Sequence, residues 1–244
     1  MNRKAWCGVL TAVLFVLAAG VVFAQAEGEV EVHKKSWFDL FKATGIVGIL
    51  LLILSLVGTA LSLQHIVGMN EQKIGNPALM REVEDMLTEG NLDEAFSVVQ
   101  ADQSYAGKVL AGALARSFGG PEEMRKGMEE SAAVEAFRLN SKISYVSLVG
   151  NIGPLLGLLG TVTGMISSFQ VIETKKSPTP ADLAVGVYES LVNTTMGLFI
   201  SIVFLTVFFY LKNKVSDITL RLNNQINEML ARAGSEGGGE QAAK

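Results

Sequence analysis

An all-α, polytopic membrane protein with three transmembrane helices is the fold class this sequence predicts, and three observations predict it. Hydrophobic residues make up 49% of the 244 positions and charged residues only 18%, with a mean hydropathy of +0.36, a balance skewed toward a membrane protein with a modest soluble part. Three apolar runs, at 45–66, 145–169 and 185–210, are each long enough to cross a hydrocarbon core as a helix, and between them they hold a single acid, Glu189. A polar stretch between the first two runs carries apolar residues at helical spacing, which predicts a helical cytoplasmic insert and long helices extending from the spans into the cytoplasm.

Residues 1–26 combine Arg3 and Lys4, an apolar run from Val9 to Phe23, and Ala24-Gln25-Ala26, the pattern of a secretory signal cleaved after Ala26. A retained anchor helix is the alternative, and it leaves residue 27 on the same outer side. Cys7, the one cysteine, lies inside this segment without a lipobox, so cleavage would leave a chain without disulfide or thiol chemistry. Residues 27–44 form a periplasmic segment that starts acidic, at Glu27, Glu29 and Glu31, and ends with Trp37, Phe38, Leu40 and Phe41 poised to lie along the interface. The first span, 45–66, is uncharged until His65 at its exit. A histidine at the end of a run reads as an interfacial residue rather than a proton relay.

Residues 67–143 form the insert. From Met69 to Lys142 there are eight Lys/Arg and thirteen Asp/Glu, while Leu79, Val83, Met86 and Leu87, then Leu92, Phe96 and Val99, recur at helical spacing. Gly90-Asn91 breaks the run into short helices, and Asp93 and Glu94 favour a fresh start after it. A further helix is expected from Pro121, with Glu122 and Glu123 in its first turn, running unbroken into the second span.

The second span, 144–170, places Gly150, Gly153, Gly157, Gly160 and Gly164 in alternating steps of three and four, which holds all five on one narrow stripe. Helices in a bilayer associate by close approach through small residues. The stripe is therefore expected to join copies of the chain, with packing of the second span on the third as the alternative. Thr161, Ser168 and Pro154 flank it, and Leu148, Leu155, Leu159 and Ile166 occupy the lipid side. After a periplasmic turn, 171–184, the capping box Thr179-Pro180-Ala181-Asp182 starts the third helix before the bilayer. Its span, 185–211, sets Glu189, Asn193, Gly197 and Ser201 at intervals of four, with Ser190 within that polar stripe, Thr194 beside it, and Thr195 and Thr206 opposite. A carboxylate at this depth is costly and usually faces a bundle interior or hydrated path. The bland alternative is that it snorkels at the helix mouth. Beyond Tyr210 the helix is expected to continue with Ile218, Leu222, Ile226 and Met229 as an apolar stripe, and Gly234–Lys244 to be a disordered tail; together these form the cytoplasmic segment 212–244.

At these residues the chain resembles the MotA/TolQ/ExbB proton-channel subunits, and ExbB most. NIGPLLGLLGTVTGMISSF resembles the family's second transmembrane signature and GVYESLVNTTMGLFISI the third. The resemblance extends from about Gly45 to Arg232, strongest in these two stretches. It implies that Thr161, Glu189 and Thr194 are the pore residues of a proton pathway. It also implies a homo-oligomer, a pentamer, around a single-span ExbD/TolR-type subunit that supplies a membrane Asp. A motor of this kind would energise outer-membrane transport through a TonB-type protein. Where many members have Ala-Ile-Pro, this chain has Ser201-Ile202-Val203, which removes the proline that would kink the third helix. TolQ-like envelope maintenance, a gliding-motor stator and a non-conducting membrane scaffold are the other readings.

Three spans put the insert and the C-terminus on one side, which the signal makes cytoplasmic, in a bacterial inner membrane. Lys73, Arg138, Lys142, Lys212 and Lys214 near span ends agree with that orientation. No catalytic residues are expected: GLLGTVTG lacks the Gly-Lys-Ser/Thr of a phosphate loop and sits in an apolar run. Two histidines and no recognised ligand spacing predict neither metal nor cofactor. Lipid surrounds the spans, and no nucleic-acid partner is expected.

Overall fold

The computed structural model describes residues 45–175, 177 and 179–241, with side chains as far as 233. The signal segment and the interfacial stretch before Gly45 lie outside the described residues. Within them the fold is helical, without a strand: α1 (Gly45–Gly68), α2 (Glu71–Gly75), α3 (Pro77–Thr88), α4 (Leu92–Ala101), α5 (Tyr105–Leu114), a 3-10 turn (Ser117–Gly119), α6 (Pro121–Thr174) and α7 (Pro180–Gln241). Helices α1, α6 and α7 are long and apolar enough to cross a membrane. As the sequence predicts, α6 starts at Pro121 and continues through the second apolar run, and α7 carries the third. Helix α7 also continues past Ala233 to Gln241, where a disordered tail is expected. Extending an existing helix adds one hydrogen bond per residue fixed and needs no new nucleus, which opposes the penalty of Gly234 and Gly237–Gly239.

The chain divides into two units, Met1–Leu52 with Pro154–Val203, and Ile53–Gly153 with Phe204–Lys244. The second, insert-bearing unit has an aliphatic core. Leu79, Val83 and Leu87 of α3, Ala95 and Val99 of α4, and Val109, Leu110 and Ala113 of α5 are buried, as are Leu211, Val215, Ile218, Leu222, Ile226 and Met229 of α7. Burying each large side chain contributes roughly 1.5–3 kcal/mol. The stripe expected after Tyr210 is thus core. Leu92 departs from expectation: it opens α4 and is 38% exposed, while Phe96 is only half-buried.

Polar capping fixes the short helices. Asn76 takes a left-handed φ of 38°, which asparagine tolerates, and its Oδ1 accepts from the Leu79 N–H at 3.5 Å. Its Nδ2 donates to Asp102 Oδ2 at 2.7 Å, and the other Asp102 oxygen accepts from the Ser104 N–H at 2.6 Å. Burial, the largest influence on Asp102, pushes its carboxyl up, but the hydrogen bonds from Ser104 and Asn76 together hold it below the ordinary carboxylate range. Ser104 then caps α5 by accepting from the Gly107 N–H at 3.1 Å. Helix α5 meets α6 through glycine, since a Cβ on Gly127 would overlap the Gly112 carbonyl and one on Gly112 would overlap Ser131. Tyr105 Oη donates to Asn223 Oδ1 at 2.8 Å, tying α5 to α7. In this unit Gly58 of α1 also makes a close contact, where a Cβ would lie 2.6 Å from Phe204 Cζ and 2.8 Å from Val149 Cγ1.

Candidate functional site: a glycine and polar ladder between two apolar helices

The other unit pairs residues 154–174 of α6 with the start of α7, and the turn between them is held by side chains. Asp182 accepts from both the Thr179 N–H, at 3.0 Å, and Thr179 Oγ1, at 2.8 Å, and pairs with Lys175. The lysine hydrogen bond, followed by those from Thr179, draws the Asp182 carboxyl down to about 2. The capping box read from the sequence is therefore in place, and α7 begins at Pro180.

Above that turn the two helices approach rung by rung. A Cβ on Gly164 would lie 2.8 Å from the Gly186 carbonyl oxygen and 2.9 Å from Ser190 Cβ. One on Gly160 would overlap Asn193 Cβ and lie 2.8 Å from its Cγ. One on Gly157 would lie 3.0 Å from Thr194 Cα. At the turn end, Gly186 faces Ser168, whose hydroxyl donates to the carbonyls of Gly164 and Leu183 at 3.2 and 3.3 Å. Four of the five glycines expected to join copies, Gly164, Gly160, Gly157 and Gly150, therefore meet the chain's own α7. Gly150, in the insert-bearing unit, faces Leu205, with Cγ 2.8 Å from a Cβ at that position; Gly153 and Gly197 are buried. The opposite side of α6 is open, with Leu148, Leu155, Leu159 and Ile166 all exposed as the lipid side requires.

The hydroxyls on this face are committed to backbone carbonyls. Ser190 donates to Val187 O at 2.6 Å, Thr161 to Leu158 O at 2.7 Å, and Thr194 reaches across the pair to Gly157 O at 3.2 Å. Thr195 is exposed and bonds back to Leu191 O at 2.9 Å. The ladder is polar and buried: Ser190, Asn193 and Ser201 are 3%, 4% and 7% exposed. Glu189 precedes Ser190 on α7 and is partly exposed, as are Thr161 and Thr194. Thr161 lies next to Gly160 on α6, and Glu189 and Thr194 bracket the Ser190–Asn193 rungs on α7. The three candidate pore residues thus sit along one stretch of this helix pair.

Gly186 and Ser168 are contact residues that the sequence reading left out of its site. Their signal is the continuation of the small-residue spacing, Gly186, Ser190, Asn193 and Gly197 in steps of four, three and four. Among the described residues no group of His, Cys, Asp and Glu could hold a metal ion.

Comparison with known proteins bears on the same stretch. A family model described as the MotA/TolQ/ExbB proton channel family matches residues 100–224, half of the chain, including both helices of the ladder. An ExbB homolog for biopolymer transport from Methanothermobacter thermautotrophicus is 23% identical over 180 residues, 73% of this chain and 64% of that protein's own length. An ExbB-like biopolymer transport protein of Synechocystis is 29% identical over 202 residues, 81% of this chain and 76% of that protein. The Tol-Pal system protein TolQ of Pseudomonas aeruginosa is 33% identical over 81 residues, a third of this chain. Among solved structures, a chain of C. jejuni MotAB superimposes with a TM-score of 0.55 at 17% identity, covering 97% of this chain and 91% of that one, which bears on the fold alone. With half the chain matched, including both signatures and the ladder they build, this protein is a member of the MotA/TolQ/ExbB proton channel family.

Proposed function

We propose that this chain is the channel-forming subunit of an inner-membrane motor that couples proton flow to work on the outer membrane, with Glu189, Thr161 and Thr194 along the proton path. The observation that carries this reading is the placement of Glu189. It is the one acid in the apolar stretch of α7, partly exposed and followed by the buried polar rungs Ser190 and Asn193. An acid at such depth marks an ion path or a proton relay. Proton entry releases about 2.3 kcal/mol per charge per 100 mV, so a few protons suffice for a conformational cycle. The chain supplies no second membrane acid, so the carrier comes from a partner, an ExbD/TolR-type single-span subunit enclosed by a homo-oligomer of this chain, a pentamer. The insert and C-terminus are cytoplasmic and the 171–184 turn periplasmic. The output is TonB-dependent transport, and relatives named for both ExbB and TolQ make Tol-type envelope maintenance the neighbouring reading.

The test is proton flux. Membrane vesicles carrying this chain with a single-span partner are loaded with a pH-sensitive dye and given an imposed potential. Glu189→Gln, which keeps shape and hydrogen bonding but removes the ionisable proton, is expected to reduce flux to the level of empty vesicles while the oligomer stays intact. Flux equal to the unmodified chain would overturn the channel reading in favour of the membrane scaffold.

A further inference from the structure

One atom of the ladder has no partner. Asn193 is 4% exposed, and its carboxamide oxygen Oδ1 is buried and accepts no hydrogen bond. Its amide nitrogen is turned toward α6, 2.9 Å from where a Cβ on Gly160 would stand, and Oδ1 lies farther from that glycine. A buried acceptor without a donor is rare in folded proteins and more so away from water. The neighbouring hydroxyls cannot help, because each has one proton and each donates it to a carbonyl: Ser190 to Val187, Thr194 to Gly157, Thr161 to Leu158, Thr163 to Gly160 and Leu159.

A donor that comes and goes is an acid's O–H, and the sequence places one acid a helical turn away. Glu189 is four residues before Asn193 on the same helix, a spacing that brings the two side chains within reach on one face. An ionised carboxylate can only accept, whereas a protonated one has an O–H to give. We propose that Asn193 is a positioning residue whose Oδ1 accepts the proton of neutral Glu189, so that the amide holds the loaded form of the acid and is left without a donor when the proton departs. The proposal rests on Glu189 being the proton site of the channel.

The surroundings leave few other groups to account for a titration here. The facing stretch of α6 offers Gly160, Gly164 and Ser168 and has no ionisable group between Tyr145 and Glu173. The start of α1, in the same unit, has none between Gly45 and Leu52. On α7, Tyr188 is adjacent, and the Asp182–Lys175 pair lies at the turn. The sign follows from which form is bonded. A hydrogen bond to the neutral acid disfavours ionisation, so removing the acceptor lowers the pH at which Glu189 loses its proton. Loss of one ordinary hydrogen bond corresponds to a shift of about 0.4–1 pH unit.

The experiment uses the full-length protein in nanodiscs. Infrared spectra are recorded as a function of pH, and the carboxyl band that disappears in Glu189→Gln is assigned to Glu189. In Asn193→Leu its midpoint is expected to fall by about 0.4–1 unit, with thermal stability unchanged or raised because a buried unpaired acceptor has gone. Asn193→Ala serves in the same way should the larger leucine not fit beside Gly160, and Asn193→Gln, which restores a carboxamide, should recover part of the shift. An unmoved midpoint in a folded Leu or Ala variant would overturn the pairing, as would a lowered stability with no shift, which is the signature of a purely structural amide. Flux separates the two readings. If Glu189→Gln conducts normally while the midpoint still moves, the pairing stands and the channel role of Glu189 falls. If Glu189→Gln stops flux and the midpoint does not move, the reverse holds.

Discussion

The two units solve the same packing problem with opposite materials. In the insert-bearing unit, helices are held by what their side chains fill: Val83, Val99, Val109, Leu110, Ile143, Leu211, Val215 and Ile226 have essentially no exposed surface. In the α6–α7 pair of the other unit, they are held by what is missing, with Gly157, Gly160 and Gly164 allowing α7 to reach the α6 backbone. The difference follows from solvent. Apolar side chains gain about 25 cal/mol per Å² on leaving water, whereas in lipid that gain vanishes and close packing with interhelical hydrogen bonds takes over. Glycine contacts are not confined to the membrane, since α5 and α6 meet through Gly112 and Gly127. There, however, they supplement an aliphatic core that the paired helices lack.

The sharpest way to break this comparison is to exchange the materials. Gly160→Leu places a branched side chain where even a Cβ would overlap Asn193, and backbone rather than a flexible tip must move. The expected outcome is separation of the pair, a loss above the roughly 1–3 kcal/mol typical of overpacking. The reporter is a disulfide between Ser168→Cys and Gly186→Cys, adjacent positions across the pair. It should form within one chain in the otherwise unmodified protein and fail in Gly160→Leu. A crosslink between two chains would instead return the stripe to an interface between copies. The counterpart, Ile226→Ala in the aliphatic core, should destabilise by about 2–5 kcal/mol, read from chemical unfolding, and leave the disulfide intact.

Smaller effects are expected from single hydroxyls. Thr194→Val removes the bond to Gly157 O and should lower stability by about 0.6 kcal/mol, the average for such bonds in membrane helices, while markedly reducing proton flux. Thr195→Val, on the exposed side with only a local bond, should be silent in both. In the insert-bearing unit, Tyr105→Phe removes the bond to Asn223 and leaves its amide oxygen short of a donor, at about 1–3 kcal/mol, without effect on flux. Equal sensitivity of Thr194 and Thr195 would mean that the two faces of α7 are not distinct.

Much of this was legible in the residues. The glycine spacing needs only arithmetic on a helix, the Gly90-Asn91 break falls between α3 and α4, and the Ile218–Met229 stripe is buried as its period requires. What the period does not encode is the identity of the neighbour. A glycine stripe says that a backbone comes close, and says it equally for a second copy or the chain's own next helix. Helix α5 carries no such signal for a related reason: YAGKVLAGAL is small and apolar nearly all round, and a helix buried on most sides has no one-sided period. Leu92 misled because it falls in register with Phe96 and Val99 but occupies the first turn of α4, where the chain has only begun to enter the core. The lone acceptor of Asn193 depends on where every nearby hydroxyl sends its proton, which is a property of three-dimensional geometry.

The finest comparison is between two carboxylates that hold helix starts, Asp182 in the turn before α7 and Asp102 before α5. Both are held below the ordinary carboxylate range, Asp182 at about 2. For a group depressed in the folded state, the stabilising contribution is fully present above its unfolded pKa, about 3.9, and is lost as pH falls through the folded value. Both turns should therefore be indifferent to pH above about 5; the Asp182 turn should loosen as pH falls from about 4 toward about 2, and the Asp102 turn only below the ordinary carboxylate range. Their partners differ, however. Asp182 is partly exposed and owes its shift first to the Lys175 ammonium, an interaction that salt screens, with a Debye length near 10 Å at 0.1 M and 3 Å at 1 M. Asp102 bonds only neutral donors, the Ser104 hydroxyl and amide and the Asn76 carboxamide, whose dipoles act at contact and are barely screened. Carboxyl carbon NMR titrations at about 0.1 M and about 1 M salt should show the Asp182 midpoint rising toward the ordinary value while that of Asp102 stays fixed. A salt-insensitive Asp182 would mean that the Thr179 bonds alone hold the cap, and Lys175→Gln would then leave its titration unchanged.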